Sequence, residues 1–529
     1  MNKSNKSQPG PIQSLHRTPL QTIPLTKAWL RFFQASPPPI PPPPADIHRK
    51  ITPQPTTTNP LNPDLGSFRQ IKKSAAPTRF RPLPARRYTQ LMRHLHLCAA
   101  LLLFTLVPKQ GSAAPTTTAS PEPAARREKL RKSIPDGVFV LFGAKESDDL
   151  HYAFFQDTNF LYLTGWEEPG AILVITPNPD KDEPAFATRS KAPREILFLP
   201  QRLLTEEKWT GRKLGPDDPT AAATGFATVL PAERFETELK SLLDLYPNLY
   251  SVATDPSTAT LQKLAPIRPV LDATHAIARL RMEKSASEIA LIEKATDASV
   301  RAHRAAWQMI APGDYEYEIA AVMVGSYMRE GCRRSSYAPI VGSGPNSVTL
   351  HYSRNSRQMD SGEVVVMDVA AECANYASDI TRTLPANGKF SARQREIYDI
   401  VLGAQKAAIA AIKPGMTLGR LTPDSLFKIA YDYINTHGKD LHGAPLGKYF
   451  IHGLGHHVGL DVHDESEPLD ALKAGMVITM EPGIYIPEEN IGVRIEDVVL
   501  VTATGAKVLS ADLPSDPDII ERELAGRKK

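Results

Sequence analysis

The segment EVVVMDVAAECANYASDITRTL, residues 363–384, places two carboxylates among apolar residues. Asp368 lies inside one strand-like run and Asp379 in the next, and their midpoint falls between Cys373 and Ala374. A hairpin folded about that midpoint would set the two acids directly opposite each other. The Cβ atoms of opposed residues in an antiparallel pair are about 5 Å apart. The segment therefore predicts two close carboxylates in an apolar hairpin.

A second segment of the same kind is VITMEPGIYIPEENIGVRIEDVVLV, residues 477–501. The midpoint between Glu481 and Glu496 falls between Glu488 and Glu489, inside the turn-like sequence Pro-Glu-Glu-Asn. Folding the hairpin there again predicts two opposed acids.

Four carboxylates in apolar strands require compensating positive charge, because like charges repel and their desolvation is costly. Arg382 and Arg494 are candidate partners, so each single acid also fits a structural ion pair. One arginine does not neutralise four acids, whereas two divalent ions about 3.5–4 Å apart do. Four carboxylates with one imidazole suit Mn²⁺ best, with Co²⁺, Fe²⁺ or Zn²⁺ as alternatives.

The segment HGLGHHVGLDVHD, residues 452–464, holds four of the chain's 14 histidines: His452, His456, His457 and His463. Histidine is the commonest metal ligand and the usual proton shuttle near neutral pH. The glycines of this segment break any helix, and the glutamate of a helical HExxH zinc motif is missing. The segment alone leaves the roles of its four histidines open.

Together these segments resemble the pita-bread metallopeptidases, which include methionine aminopeptidase, prolidase and aminopeptidase P. The stretches SDITRT, HGLGHHVGLDVHD, EPGIY and VRIED are most similar to aminopeptidase P, the Xaa-Pro aminopeptidases. Upstream, FFQDTNFLYLTGWEEPGAILV resembles the creatinase-type domain that precedes the catalytic domain in that family. The resemblance covers residues 123–505.

The resemblance implies a dinuclear metal site with five ligands: Asp368, Asp379, His456, Glu481 and Glu496. Asp379 and Glu496 match the ligands that bridge both ions. Asp368 matches a ligand of one ion, and His456 and Glu481 match ligands of the other.

The resemblance also implies catalytic roles. His351, in LHYS, and His463 match histidines that contact the scissile peptide and help to stabilise its tetrahedral intermediate. A hydroxide that bridges the two metals is expected to attack the carbonyl before proline, with Glu481 as proton shuttle.

Three further residues receive expected roles. Arg494 is expected to orient ligand carboxylates. His452 is expected near the substrate pocket, and His457 is expected to pack.

The expected activity is that of a metal-dependent exopeptidase that removes the N-terminal residue from peptides with proline in second position. The bond before proline lacks an N–H, so ordinary proteases that need this donor are excluded. Prolidase, which shares the ligands but accepts only dipeptides, is one alternative. A catalytically inactive, peptide-binding relative is another, which the complete ligand set disfavours. The resemblance also implies a homo-oligomer, either a dimer or a tetramer.

The sequence predicts two folded domains. Residues 123–275 alternate strand-like and helical stretches, which predicts an α/β domain of creatinase type with strands at 160–166, 171–177, 195–200 and 249–255. Residues 276–513 combine four amphipathic helices with the β-rich site segments, which predicts an α+β pita-bread catalytic domain. The helices are expected within 285–310, 314–331, 391–412 and 424–438. Residues 514–529 are expected to form a C-terminal tail.

The first 114 residues differ in composition from the rest. They carry 16 lysines and arginines against two acids, whereas the remaining residues carry 46 against 56. The basic charge belongs to this leader, so no nucleic-acid partner is inferred from it. Residues 1–91 are rich in proline and are expected to be extended or disordered, and not part of the native protein.

Residues 92–114 have the layout of a secretory signal peptide. Met92 and Arg93 precede an apolar run that is too short to span a bilayer, and small residues follow it. We expect initiation at Met92, cleavage after Ala114, a linker at 115–122 and a periplasmic or secreted enzyme. Initiation further upstream would leave it in the cytoplasm.

The predicted mature chain contains two cysteines, Cys332 and Cys373. Two cysteines allow one bridge but no disulfide framework. No other apolar run reaches membrane-spanning length, so no stable membrane anchor is expected.

Overall fold

A computed structural model of the protein describes residues 120–527 except 148, 150, 218–223, 421, 424 and 468. The expected leader, the expected signal peptide and residues 115–119 of the expected linker lie outside the described residues. Among the helices of the described chain, none combines the length and the apolar character that crossing a membrane requires.

A mixed sheet forms the N-terminal part of the described chain. Its strands are β1 (Gly137–Phe142), β2 (Ile172–Ile175), β3 (Glu195–Leu199), β4 (Val229–Pro231), β5 (Asn248–Ser251) and β6 (Val270–Asp272). Their spatial order is β4-β3-β2-β1-β5-β6. Strand β2 is antiparallel to β1 and β3, and the other pairs are parallel. The helices along this part are α1 (Pro121–Ser133), α2 (Thr158–Thr164), α3 (Phe186–Arg189), α4 (Glu207–Thr210), α5 (Phe235–Leu243) and α6 (Thr258–Leu264).

Both faces of this sheet are buried. Along β1, Val138 and Val140 belong to one apolar cluster, whereas Phe139 and Leu141 belong to another. A sheet that is covered on both faces needs strands with near-continuous apolar sequence, as seen here. The cluster that contains Phe139 continues into the C-terminal part of the chain, so the two parts share a core.

The strand predicted at 160–166 is wrong, because most of these residues belong to α2. Asp157 caps the helix by accepting a hydrogen bond from the Phe160 N–H, and Gly165 ends it with a φ of 67°. A short apolar run does not by itself distinguish a strand from a buried helix, and the two caps decide here. The other three predicted strands are confirmed as β2, β3 and β5.

The C-terminal part begins with α7 (Thr274–Met282) and contains the four predicted amphipathic helices. They are α8 (Ala286–Trp307), α9 (Glu316–Arg329), α10 (Ala392–Ala411) and α11 (Leu426–His437). Capping boxes at Ser285 and Ser391 start α8 and α10. Residues 514–529, which were expected to form a tail, contain the helix α12 (Pro517–Ala525). Its Ile520 and Leu524 are buried in the core.

Short strands lie between these helices. They are β7 (Arg334–Ser335), β8 (Ile340–Ser343), β9 (Val364–Asp368), β10 (Ala371–Cys373), β11 (Tyr376–Ala377), β12 (Thr381–Pro385), β13 (Val477–Met480), β14 (Gly483–Ile486), β15 (Ile491–Arg494), β16 (Asp497–Val501) and β17 (Ala506–Val508). They form sheets in the orders β11-β10-β7, β12-β9-β8, β13-β16-β17 and β14-β15.

The register of the first hairpin differs from the prediction. Asp368 pairs with Thr381, two residues beyond Asp379. The turn lies at Ala374 and Asn375, whose φ angles are 51° and 69°. Two consecutive residues with positive φ form the tight turn that joins β10 and β11. Asp368 and Asp379 are therefore diagonal neighbours rather than directly opposed residues.

The second hairpin has the predicted register. Gly483 pairs with Arg494 and Met480 pairs with Asp497. Both pairs imply that Glu481 and Glu496 lie opposite each other, at the junction of two short ladders.

A disulfide joins Cys332, just after α9, to Cys373 in β10. Their Cα atoms are 4.3 Å apart and both side chains are buried. The bridge fastens the short strand β7 to the hairpin that carries Asp368 and Asp379, since β7 pairs with β10.

Candidate active site

One pocket of about 470 Å³ collects the residues that the sequence analysis singled out. All nine predicted ligand, catalytic and substrate residues line it: His351, Asp368, Asp379, His452, His456, His463, Glu481, Arg494 and Glu496. Ile340, Leu350 and Val462 form apolar parts of its wall. Apolar walls with a few convergent polar groups are typical of sites for small ligands.

Thr381 links the two acidic hairpins. Its hydroxyl donates a hydrogen bond to the Glu496 carboxylate at 2.7 Å, and its carbonyl accepts one from the Glu496 N–H at 3.1 Å. Thr381 is also the strand partner of Asp368. This single residue therefore fixes one acid of each hairpin relative to the other.

His456 faces the acids with one ring nitrogen. Its Nδ1 is 3.1 Å from the carbonyl of His457, which accepts a hydrogen bond from it. Its Nε2 lies 3.4 Å from Asp379 and 3.5 Å from Glu481. Burial lowers the pKa of His456, but its side-chain hydrogen bond to Asp379 and the negative charge of Asp379 raise that pKa to about 9. The nitrogen that points at the acids is the one left available to a metal.

The carboxylates are buried and crowded. Burial and the charge of Asp379 raise the pKa of Glu481 to about 7, and they hold the pKa of Glu496 well above its usual range. Burial also raises the pKa of Asp379, whose Oδ1 has no hydrogen-bond partner among the described residues. Such buried groups need a cation.

The donor atoms fit a divalent ion. One ligand atom from each of Asp379, His456 and Glu496 lies within 4.8 Å of the others. Asp379, whose Oδ1 has no partner among the described residues, is one of these three residues. Carboxylate oxygens with one imidazole are donors that divalent transition metals accept.

Asp368 is held by two neighbours. Arg494 donates to one carboxylate oxygen at 2.6 Å, and the Tyr337 hydroxyl donates to the other at 2.5 Å. Arg494 also donates to the Tyr485 hydroxyl at 2.9 Å. The sequence analysis missed both tyrosines. Tyr485 lies within the EPGIY stretch that supports the family resemblance, whereas Tyr337 has no local signal.

Arg382, the other candidate counter-charge, points elsewhere. It donates to the Asp497 carboxylate at 2.7 Å and to the backbone carbonyls of Glu496 and Leu513. Its charge is therefore used to join β12 to the C-terminal segment rather than to neutralise the four acids.

The loop that carries His351 is organised by Glu316, at the start of α9. This fully buried carboxylate accepts five hydrogen bonds of 2.8–3.0 Å, from the Ser343 N–H and hydroxyl, the Asn346 amide, the Tyr352 hydroxyl and the Arg357 N–H. Donors from both ends of the loop thus converge on one acid.

The turn that carries His463 is fixed through its neighbour Asp464. Lys284 donates to the Asp464 carboxylate at 2.9 Å, and Arg281 donates to it at 2.5 Å. Although burial opposes ionisation, the charges of Arg281 and Lys284 lower the pKa of Asp464 to about 2. Arg281 also bonds the Asn159 side chain of the N-terminal part at 2.7 Å.

The histidine rings of this segment have distinct surroundings. The His463 ring lies 4.1 Å from the His456 ring, and burial lowers its pKa to about 4. His452 lies 2.9 Å from the Tyr485 hydroxyl and 3.7 Å from Glu481, at the pocket wall. His457 is buried and does not line the pocket, and burial lowers its pKa to about 3.

Two family models match the chain. The model described as metallopeptidase family M24 matches residues 290–503. The model described as the aminopeptidase P N-terminal domain matches residues 124–250. The second match confirms the predicted creatinase-type domain, and the first covers all five expected metal ligands.

The proteins of similar sequence or structure include Xaa-Pro aminopeptidases and an Xaa-Pro dipeptidase. The Xaa-Pro aminopeptidase of Haemophilus influenzae is 35% identical over 73% of this chain and 93% of its own. The Xaa-Pro dipeptidase of Pyrococcus furiosus is 43% identical over 44% of this chain and 64% of its own. The structure of Escherichia coli aminopeptidase P with the inhibitor Pro-Leu superposes with a TM-score of 0.67 at 30% identity, over 77% of this chain and 98% of that one. The chain therefore belongs to the aminopeptidase P group of the pita-bread metallopeptidases, within metallopeptidase family M24.

Proposed function

We propose that the protein is a metal-dependent exopeptidase that removes the N-terminal residue from peptides with proline in second position. The observation that carries this proposal is one pocket that holds the five expected ligands together with His351 and His463. The similarity to Xaa-Pro aminopeptidases over most of the folded chain supports this substrate class.

The five ligands would hold two divalent ions: Asp368, Asp379, His456, Glu481 and Glu496. Ions bound there supply Lewis acidity to the carbonyl before proline and make water a better nucleophile. The oxygen-rich donor set favours Mn²⁺, with Co²⁺, Fe²⁺ or Zn²⁺ as alternatives. Removal of metal with a chelator, followed by titration with each ion, tests this preference through restored activity.

Glu481 would take up and pass on a proton. Its carboxylate lies in the pocket, 3.5 Å from His456 and 3.7 Å from His452. His351 and His463 line the same pocket and are expected to stabilise charge that develops on the scissile carbonyl. Arg494 keeps Asp368 in place at 2.6 Å.

A dipeptidase is the second candidate function. The identity of 43% to the Xaa-Pro dipeptidase of Pyrococcus furiosus, over 44% of this chain, favours it. Hydrolysis of Xaa-Pro, Xaa-Pro-Yaa and longer peptides with added Mn²⁺ separates the two. We expect release of the N-terminal residue from the tripeptide and from longer peptides. Cleavage of the dipeptide alone would favour a dipeptidase, and no cleavage by the metal-loaded protein would overturn both.

We also propose export of the protein after initiation at Met92 and cleavage after Ala114. The Cys332–Cys373 disulfide supports this, because such bridges persist mainly in oxidising compartments. N-terminal sequencing of the native protein would find a chain that starts near Pro115. A cytoplasmic chain that retains residues 1–91 would refute the proposal.

A dimer or tetramer is proposed as well, and light scattering of the purified protein tests it.

A further inference from the structure

The hairpin with Asp368 and Asp379 is interrupted where it carries its ligands. Strand β9 ends at Asp368 and β12 begins at Thr381, whereas β10 and β11 lie beyond the interruption. The hairpin itself supplies two backbone hydrogen bonds across this interruption, from the Val369 N–H to the Ile380 carbonyl at 3.4 Å and from the Ser378 N–H to the Ala371 carbonyl at 3.1 Å. The remaining backbone groups there need partners other than a regular ladder.

Helix α8 supplies partners for this gap. The His303 Nε2 lies 3.1 Å from the carbonyl of Val369 and 3.2 Å from the carbonyl of Ile380. One turn earlier on the helix, the Ser299 hydroxyl accepts a hydrogen bond from the Ala371 N–H at 2.9 Å. Residues at these spacings share one face of a helix. A polar face of α8 therefore supports the hairpin behind its ligands.

The two carbonyl partners of His303 show which of its ring nitrogens carries the hydrogen. Carbonyl oxygens only accept hydrogen bonds, so Nε2 must carry the hydrogen. Nδ1 is buried without a hydrogen-bond partner among the described residues. Complete burial lowers the pKa of His303 to about 4, so the ring is neutral at physiological pH. One N–H is therefore shared between two carbonyls from opposite strands.

Those two carbonyls have a specific position. Val369 directly follows Asp368, and Ile380 directly follows Asp379. A fully buried imidazole has little freedom to move. The shared N–H therefore links the two backbone segments that directly follow Asp368 and Asp379.

We propose that His303 is a positioning residue of the metal site, which sets the spacing of Asp368 and Asp379 through the carbonyls that follow them. This inference rests on the proposed metal-dependent function. His303 touches neither metal nor substrate, so its effect is expected on metal affinity. Loss of comparable supporting contacts in metalloproteins weakens metal binding about 10–100-fold.

The test uses metal-free full-length protein and Mn²⁺ titration by calorimetry. His303→Leu removes the N–H and is expected to raise the Kd for Mn²⁺ about 10–100-fold. His303→Gln places an amide N–H near the position of Nε2 and is expected to restore much of the affinity. His303→Asn is too short to reach the carbonyls, and it replaces the leucine variant if that variant does not fold.

Met323→Ala is the matched control. Met323 lies fully buried on α9, which packs against α8, and it donates no hydrogen bond to the hairpin. This variant is expected to lower the Tm but to leave the Kd for Mn²⁺ unchanged. Equal Kd values for wild type, His303→Leu and His303→Asn would overturn the inference. A wild-type protein that binds no divalent metal would overturn the proposed function itself.

Discussion

Arg494 and Asp368 form an ion pair of 2.6 Å in which both side chains are almost completely buried. The arginine compensates one of the four acids and is held in turn by the Tyr485 hydroxyl. Asp379, Glu481 and Glu496 keep raised pKa values because burial and mutual repulsion disfavour their charge. The pair therefore anchors one ligand and leaves a strongly electronegative centre beside it, which is suited to divalent cations.

Replacement of Glu496 tests that centre. We expect Glu496→Ala to lose bound metal and nearly all activity, because Glu496 shares the donor group with Asp379 and His456. Metal analysis of the purified variant and hydrolysis of an Xaa-Pro-Yaa peptide check this. Glu488→Ala, at the exposed turn of the same hairpin, is the control and should retain both. An Asp368→Ala variant with two tightly bound metals and full turnover would contradict the site.

The pocket histidines should separate metal binding from turnover. His351→Ala and His463→Ala are expected to lower kcat by about 10²–10³, the usual effect of losing one donor to the transition state, with metal content retained. His457→Phe should have a small effect, because His457 is buried outside the pocket lining. Loss of metal from His457→Phe would instead assign that residue to the metal site.

Glu316 should influence catalysis from a distance. Glu316→Gln presents an amide to donors that now converge on a carboxylate, so at least one of them loses its partner. We expect a fall in kcat that approaches that of His351→Ala, with metal content unchanged. Glu318→Gln on the same helix keeps its capping interaction and should match wild type. A normal kcat in Glu316→Gln would mean that His351 does not depend on this network.

The metal-free protein should become less stable as pH rises above neutrality. The folded-state pKa of Glu481 is raised to about 7 and that of His456 to about 9, so these two groups hold more protons in the folded protein than in the unfolded chain between about pH 7 and 9. The buried histidines with lowered pKa values, such as His463 and His457, are largely neutral in both states over this range and do not offset the effect. Stability must then fall as the pH rises from about 7 to 9. We expect the Tm of chelator-treated protein to decrease between pH 7 and 9, and added Mn²⁺ to reduce this decrease. A Tm that rises over this range would contradict the crowded-acid description.

The disulfide should contribute substantially to stability. It closes a loop with a sequence separation of 41 residues. A cross-link of that size is worth about 4 kcal/mol in chain entropy. Cys332→Ser combined with Cys373→Ser should therefore lower the free energy of unfolding by about this amount in urea titrations. Unchanged stability after reduction would show that the bridge does not constrain the unfolded chain.

The sequence predicted those parts of the site that depend on local pattern. The second hairpin has its predicted register because the Pro-Glu-Glu-Asn turn lies at its centre. The turn of the first hairpin lies one residue later than predicted, because it needs positive φ at Ala374, and alanine gives no sequence signal for that conformation. The contacts of Glu316 and Tyr337 could not be predicted, because their partners lie far away along the chain. A single sequence gives no signal for such long-range partners.

The clasp between Arg281 and Asp464 has a consequence for dividing this protein. Arg281 lies on α7, the first helix of the C-terminal part, and it also donates a hydrogen bond to the Asn159 side chain in the N-terminal part. A fragment that begins at Ala286 would lose Arg281 and Lys284, and would leave Asp464 as a buried charge without its partners, next to His463. The junction is thus a poor place to cut or to recombine with another family member. In a hybrid enzyme, Arg281, Lys284 and Asp464 would have to come from the same parent protein.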